Sequence, residues 1–295
     1  MRRAQECILA ATLIATVLVP ASDAQTRLFG VDVTTLIELD PATGAVIASM
    51  PITGNPPGTT GAMAYDPATD TLFLCSTNTD NLWTLDYTTG AITLVGPFNV
   101  GTAVIMHALE VDDTGQLYGH SLFAASGARF FRVDRNTGQA TPISDPGLAN
   151  NFGSLAFVPS TGTMYFGDTG GDQLYTIDRT TGAITLVGPF GAGTQISISM
   201  AYHPQLGMYA IDNWNTDSLW RLDLVTGQAT HIADLATGNL ISLAFVTPAA
   251  GASFCPGDGS GTACPCGTTA RPARTRDASA RWGAAASSSP AAIRA

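Results

Sequence analysis

The sequence has no lysine; all 13 basic residues are arginine. That absence excludes Schiff-base catalysis and a phosphate-binding P-loop, each of which needs a lysine amine. Glutamate is scarce, three residues against 20 aspartates, and aspartate favours turns over helix interiors. Charged residues make up only 12% of the chain and hydrophobic ones 45%, a balance that excludes a disordered polypeptide. The motifs G-x-S-x-G, H-E-x-x-H and G-x-G-x-x-G are missing, and with them the common signatures of serine hydrolases, zinc proteases and dinucleotide enzymes. The four histidines, at 107, 120, 203 and 231, lack metal-ligand spacing. No catalytic residue is therefore predicted. Turn-forming residues are plentiful instead, with 31 Gly and 17 Pro, as a turn-rich β protein requires.

Residues 1–24 read as a secretory signal peptide. Arg2 and Arg3 precede an apolar stretch from Ile8 to Pro20, and Ser22 and Ala24 precede a cleavage at Gln25. No later segment reaches the roughly 20 apolar residues of a membrane helix. The mature chain is expected to be secreted or held at the cell surface, without membrane insertion. Beyond the signal, Cys75 lies in the apolar run Leu72-Phe73-Leu74-Cys75 and is expected to be a buried, inert thiol. Cys255, Cys264 and Cys266 crowd near the C-terminus and are the disulfide candidates of an oxidising compartment. Between residues 25 and 266, six arginines face 20 acidic residues. Such a surface repels nucleic acid. It suits a glycan, a peptide, a cell-surface protein or a cation such as Ca2+, and the expected state is a monomer.

Internal repetition is the main signal. Five segments share one hairpin: Asp40-Pro-Ala-Thr-Gly44, Asp86-Tyr-Thr-Thr-Gly90, Asp134-Arg-Asn-Thr-Gly138, Asp178-Arg-Thr-Thr-Gly182 and Asp223-Leu-Val-Thr-Gly227. Glycine supplies the positive φ that closes such a turn, and aspartate bonds the turn backbone. The glycines lie 46, 48, 44 and 45 residues apart, a period that with short strands indicates four-stranded propeller blades. The first unit lacks its opening strand, while a surplus strand, Ser242-Leu-Ala-Phe245, follows the fifth. The prediction is an all-β, five-bladed β-propeller over residues 25–248, with four antiparallel strands per blade. Its C-terminal strand joins the N-terminal blade and closes the ring, which removes an open sheet edge.

The first strands of the units align in columns. Column one holds Ala62, Ala108, Ser154, Ser199 and Ser242, and column two holds Met63, Leu109, Leu155, Met200 and Leu243. Small and large residues alternate with the period of a strand, the small ones converging on the axis. Trp83, Phe131, Tyr175 and Trp220 recur on the third strands and are expected in the core. Column three reads Ala64, Glu110, Ala156, Ala201, Ala244, and column five reads Asp66, Asp112, Val158, His203, Val246. Glu110, Asp112, Asp66 and His203 therefore share one side of their strands near the axis, with His107 just before. Carboxylates and imidazole gathered there would bind a cation or form an acid/base pair, with Glu110 and Asp112 as the metal ligands of choice. Asp66, Asp112 and His203 read more simply as turn residues, while Glu110 stands equally well as a site residue and as a partner of Arg129 or Arg132. Asp80, Asp172 and Asp217, each two residues before Leu-Trp or Leu-Tyr, are expected to make a turn or inter-blade bond. The loops that vary most, Ser121 to Ala128, Ile211 to Ser218 and Pro51 to Thr60, share the end of the ring where the chain crosses between blades, and that face is the one expected to bind a ligand. There Trp214 either stacks on a ligand or folds onto its own blade.

The run Leu174-Tyr-Thr-Ile-Asp-Arg-Thr-Thr-Gly-Ala-Ile-Thr-Leu-Val-Gly188 resembles bacterial exported propeller proteins with YVTN or NHL-like blades. The segment Cys255-Pro-Gly-Asp-Gly-Ser-Gly followed by Cys264-Pro-Cys-Gly267 resembles a C-terminal segment appended to secreted bacterial proteins. Residues 249–266 are set apart as this Cys-rich tail motif. Residues 267–295 depart from it and read either as the product of a one-base frameshift or as a disordered basic tail. The function expected from all this is a secreted, non-catalytic binding or scaffold module for an extracellular ligand or protein. The alternatives are a cation-dependent propeller hydrolase or lyase with an axial site near Glu110, and a matrix protein with no ligand.

Overall fold

The computed structural model describes residues 26–54, 60–76, 79–100, 104–125, 127–148, 153–191, 199–213 and 216–248. The predicted signal peptide, Trp214, Cys255, Cys264, Cys266 and the tail from 249 lie outside the described residues. Twenty strands follow in order among the described residues. The first three are β1 (Arg27–Asp32), β2 (Thr35–Leu39) and β3 (Val46–Pro51). The second blade holds β4 (Thr60–Asp66), β5 (Thr71–Ser76), β6 (Asn81–Leu85) and β7 (Ile92–Pro97). The third holds β8 (Met106–Val111), β9 (Leu117–Ala125), β10 (Ala128–Val133) and β11 (Ala140–Ser144). The fourth holds β12 (Gly153–Val158), β13 (Thr163–Asp168), β14 (Gln173–Ile177) and β15 (Ile184–Pro189). The fifth holds β16 (Ser199–His203), β17 (Gly207–Asp212), β18 (Ser218–Leu222) and β19 (Ala229–Asp234), and β20 (Leu240–Val246) ends the ring.

Five four-stranded antiparallel sheets result, one of them ordered β20-β1-β2-β3. The ring closes as predicted, through Leu28↔Phe245 and Gly30↔Leu243. Every residue of β20 is buried, so closure joins the first and last strands of the ring through core packing as well as ladder bonds. The stretch 121–128, expected as a loop, is largely strand: β9 and β10 extend to Ala125 and Ala128 and turn at Gly127, where φ is +77°. The aromatic positions on the third strands are core, with Trp83 and Phe131 buried and Tyr175 and Trp220 packed against neighbouring clusters. Each blade also carries a register shift between its third and fourth strands, for example at Leu82/Trp83, Leu174/Tyr175 and Leu219/Trp220. The outer strand is an exposed edge, and a bulge there twists it away from edge-to-edge pairing.

The shared hairpin performs two tasks. Asp40 Oδ1 accepts the Ala42 and Thr43 amides, and Asp86, Asp134, Asp178 and Asp223 repeat the arrangement. The closing glycines sit at φ between +69° and +79°, and each also abuts the preceding blade. A Cβ at Gly90 would overlap the Pro51 carbonyl, one at Gly138 the Gly96 carbonyl, and one at Gly227 the Gly188 carbonyl. At Gly44 a Cβ would instead meet the side chains of Ala233 and Leu235. Glycine therefore turns the chain and lets two blades touch by their backbones.

Candidate functional site

β4, β8, β12, β16 and β20 are the innermost strands, and each has one edge facing the axis with no strand to pair it. Short side chains of the preceding strand in the ring satisfy part of that edge. The Met63 amide donates to Ser242 Oγ at 2.8 Å and the Leu243 amide to Ser199 Oγ at 3.0 Å. Where column one is alanine, Cys75 takes over: the Ala62 amide donates to its sulfur, and the thiol donates to the Met106 carbonyl. Cys75 is fully buried, and burial pushes its thiol up to about 12. It is the inert thiol expected, with an inter-blade role added.

Below this belt the column-three alanines leave room, and a cavity of about 360 Å³ opens on the axis. Its wall includes Ala64, Ala201 and Ala244, the larger Met63, Tyr65, Phe157, Met200, Tyr202 and Phe245, and the polar Glu110, Asp112 and His203. The cavity lies at the ends of the innermost strands, on the face of the short uniform turns, opposite the variable loops. Three predicted site residues thus come together. Asp66 and His107 are not part of the wall. His107 is the bulged residue at the start of β8, about 10 Å along the strand from Glu110, and burial lowers its imidazole to about 4.

Asp66 and Asp112 serve the fold. Burial would raise Asp66, but bonds from Thr69 Oγ1, the Ala68 amide and the Arg135 guanidinium at 2.6 Å hold it below the usual carboxylate range. Asp112 is held low in the same way against its burial by Thr114, the Gln116 amide and Arg179. Each aspartate belongs to one blade and each arginine to the hairpin of the next. His203 Nδ1 faces the Gln205 and Leu206 amides, its Nε2 lies 3.0 Å from Thr26 Oγ1, and burial lowers its pKa.

Glu110 differs. Arg129 instead meets Asp145 and the Leu148 carbonyl, and Arg132 meets Tyr118. Among the described residues no arginine pairs with Glu110. Burial pushes its carboxyl well above the usual range, and the Asp112 charge adds to the rise. Bonds from the Val111 amide and from the Phe157 amide of the next blade pull the other way and are outweighed. No group of three or more His, Cys, Asp or Glu side chains suited to a metal gathers among the described residues.

Two features of the structure were not expected from the sequence. His120 is 2% exposed, and burial, with Arg129 and His107 adding to it, lowers its imidazole to about 3. It packs 4.8 Å from the Phe166 ring, in space that Gly153 leaves open. The inter-blade Asp–Arg pairing was also missed, although a signal for it exists. The second hairpin residue of one blade matches column five of the blade before it: Asp66 with Arg135, Asp112 with Arg179, Val158 with Leu224 and Val246 with Tyr87. Asp80 and Asp217 make the inter-blade bonds expected of them, accepting the Val104 and Leu240 amides.

No protein-family model matches this sequence, and neither does any curated protein. Solved structures do resemble it in shape. The chain aligns with a component of a nidogen/laminin complex at a TM-score of 0.54 and 12% identity, over 75% of this chain and 98% of that one. A protein of unknown function from Bacteroides thetaiotaomicron aligns at 0.50 and 16%, over 78% and 63% of the two chains. A gluconolactonase from Xanthomonas campestris aligns at 0.49 and 17%, over 75% and 80%. At these identities the likeness is one of fold, and the fold it shows is the β-propeller.

Proposed function

We propose that this chain is an exported, non-catalytic binding module whose ligand site is the axial cavity. Glu110 carries the reading. It is an acid in a largely apolar cavity with no cation paired to it among the described residues, whereas Asp66 and Asp112 each hold an arginine. An uncompensated ionisable group in such a place costs stability, and perturbed acids of this kind cluster at functional sites. Binding is favoured over turnover because general acid–base chemistry needs a second group in reach. Asp112 is engaged by Arg179, and His203 by Thr26 and two amides. The same engagement weighs against the cation-dependent hydrolase, which needs Asp112 as a second ligand. Export rests on Arg2, Arg3 and the apolar stretch to Pro20.

The test is thermal unfolding of the full chain against neutral, cationic and anionic small molecules, Ca2+ and EDTA, in the wild type and in Ala64→Leu. Ala64→Leu fills the cavity and leaves Glu110 in place. A ligand at a hundred times its Kd stabilises by about 2.7 kcal/mol, a shift of roughly 5–10 °C for this size. The expected result is a shift with one class of molecule that disappears in Ala64→Leu. A shift that persists in that variant places the ligand elsewhere and overturns the reading. A Ca2+ shift that Glu110→Gln abolishes moves the site to cation binding.

A further inference from the structure

We propose that the axial cavity binds a small organic ammonium ion, its charge on Glu110 and its apolar body among Tyr65, Phe157, Tyr202 and Phe245. This rests on the axial cavity being the ligand site and adds what fills it. The molecule's own arginines set the pattern. Arg27 pairs with Glu38 and lies 4.5 Å from the centroid of the Phe29 ring. Arg135 pairs with Asp66 and lies 5.4 Å from Phe73, and Arg179 pairs with Asp112 and lies 4.8 Å from Phe157. In each case a carboxylate and an aromatic ring share one organic cation, an arrangement strengthened by the attraction of a cation to the ring face. Glu110 has the carboxylate and aromatic neighbours on the cavity wall, but no arginine among the described residues.

The other ligand classes fit less well. An anion would meet the Glu110 carboxyl and the carboxylates of Asp112 and Asp113, which share the single Arg179, in a chain of net charge −10. A divalent metal needs six or more oxygen ligands or retained waters, and this wall is mostly carbon. A sugar needs many polar partners, which these methionines and aromatics do not supply. A cavity of about 360 Å³ falls in the range that encloses small ligands, and the negative charge of the chain raises the local concentration of cations. The carboxylate retains acceptor capacity beyond the Val111 and Phe157 amides. Burial favours its protonated form, and a cation docked beside it favours the charged one.

The experiment is titration calorimetry of the full chain at pH 7.5 and low salt with three probes of one shape: benzylammonium, benzyl alcohol and benzoate. Benzylammonium is expected to bind at least tenfold more tightly than benzyl alcohol, and benzoate is expected not to bind. Glu110→Gln should erase the preference for the cation and Glu110→Asp should keep it, which separates loss of charge from loss of fold. Ala64→Leu should weaken the cation with the acid still present. Equal binding of alcohol and ammonium, lost in Ala64→Leu, overturns the ammonium and leaves the cavity as the ligand site. A preference that survives Glu110→Gln, or no binding of benzylammonium, also overturns it.

Discussion

Glu110 stands where β4, β12, β16 and β20 carry alanine, and its cost to the fold has a definite sign. Its folded pKa lies above its unfolded value, so the native state holds a proton that the unfolded chain releases as pH rises. Stability from this group is greatest in acid and is lost as pH climbs toward the folded pKa. Glu110→Gln should therefore unfold at a higher temperature than the wild type at pH 8, with the gap closing toward pH 4. An equal gap at both values would contradict the burial argument. His120 acts in the opposite direction. Its folded pKa of about 3 lies below the unfolded value of 6.5, so its stability is present above pH 6.5 and is lost as pH falls. At pH 5 the loss is roughly 2 kcal/mol, and His107 and His203, also lowered, add to it. Urea midpoints between pH 7 and 4 should show the decline, flattened in His120→Gln. Glu110 was legible in the sequence because it broke a column of alanines. His120 was not, because nothing in the chain sequence shows that Gly153 and Phe166 pack around it.

At the scale of the element, the Asp-x-x-x-Gly hairpin is almost wholly local chemistry. The aspartate and the glycine lie four residues apart, and the turn closes through the carbonyl and carboxylate of the aspartate. The glycine's second task is not local, and two substitutions separate them. Gly147 also has φ of +79° but has open space where a Cβ would go. Gly147→Ala should cost about 1 kcal/mol, the price of a left-handed alanine. Gly138→Ala, which adds overlap with the Gly96 carbonyl, should cost at least 1–3 kcal/mol more. Equal losses in denaturant melts would show that the blades give way easily at this contact. Strand boundaries were less legible at β9 and β10. Their extension into the stretch expected as a loop depends on pairing between Ala125 and Ala128, which hydrophobic patterning does not register.

At the scale of the whole molecule, the ring is held by one rule applied between blades. The end of an innermost strand meets the hairpin of the next blade, by charge at Asp66–Arg135 and Asp112–Arg179 and by apolar packing at Val158–Leu224. Asp66 and Asp112 have side chains 2% and 3% exposed, so removing an arginine strands a buried charge. Arg135→Leu should cost about 3 kcal/mol, the lower end for a broken buried pair. Adding Asp66→Asn should restore more than half of it, since asparagine keeps the turn bonds without the charge. A double variant no better than the single one would mean that Arg135 acts through its bond to the Gly115 carbonyl and not through Asp66. The sequence by itself determined the blade count, the four strands of each blade and the ring closure. Those follow from local turn chemistry and from a two-residue alternation repeated five times. Only the tertiary structure decided which acids are neutralised, because Asp66 and Arg135 stand 69 positions apart and meet only when the ring closes. It also set the open space on the axis at the face of the short turns, where alanines from separate blades face one another around a single glutamate.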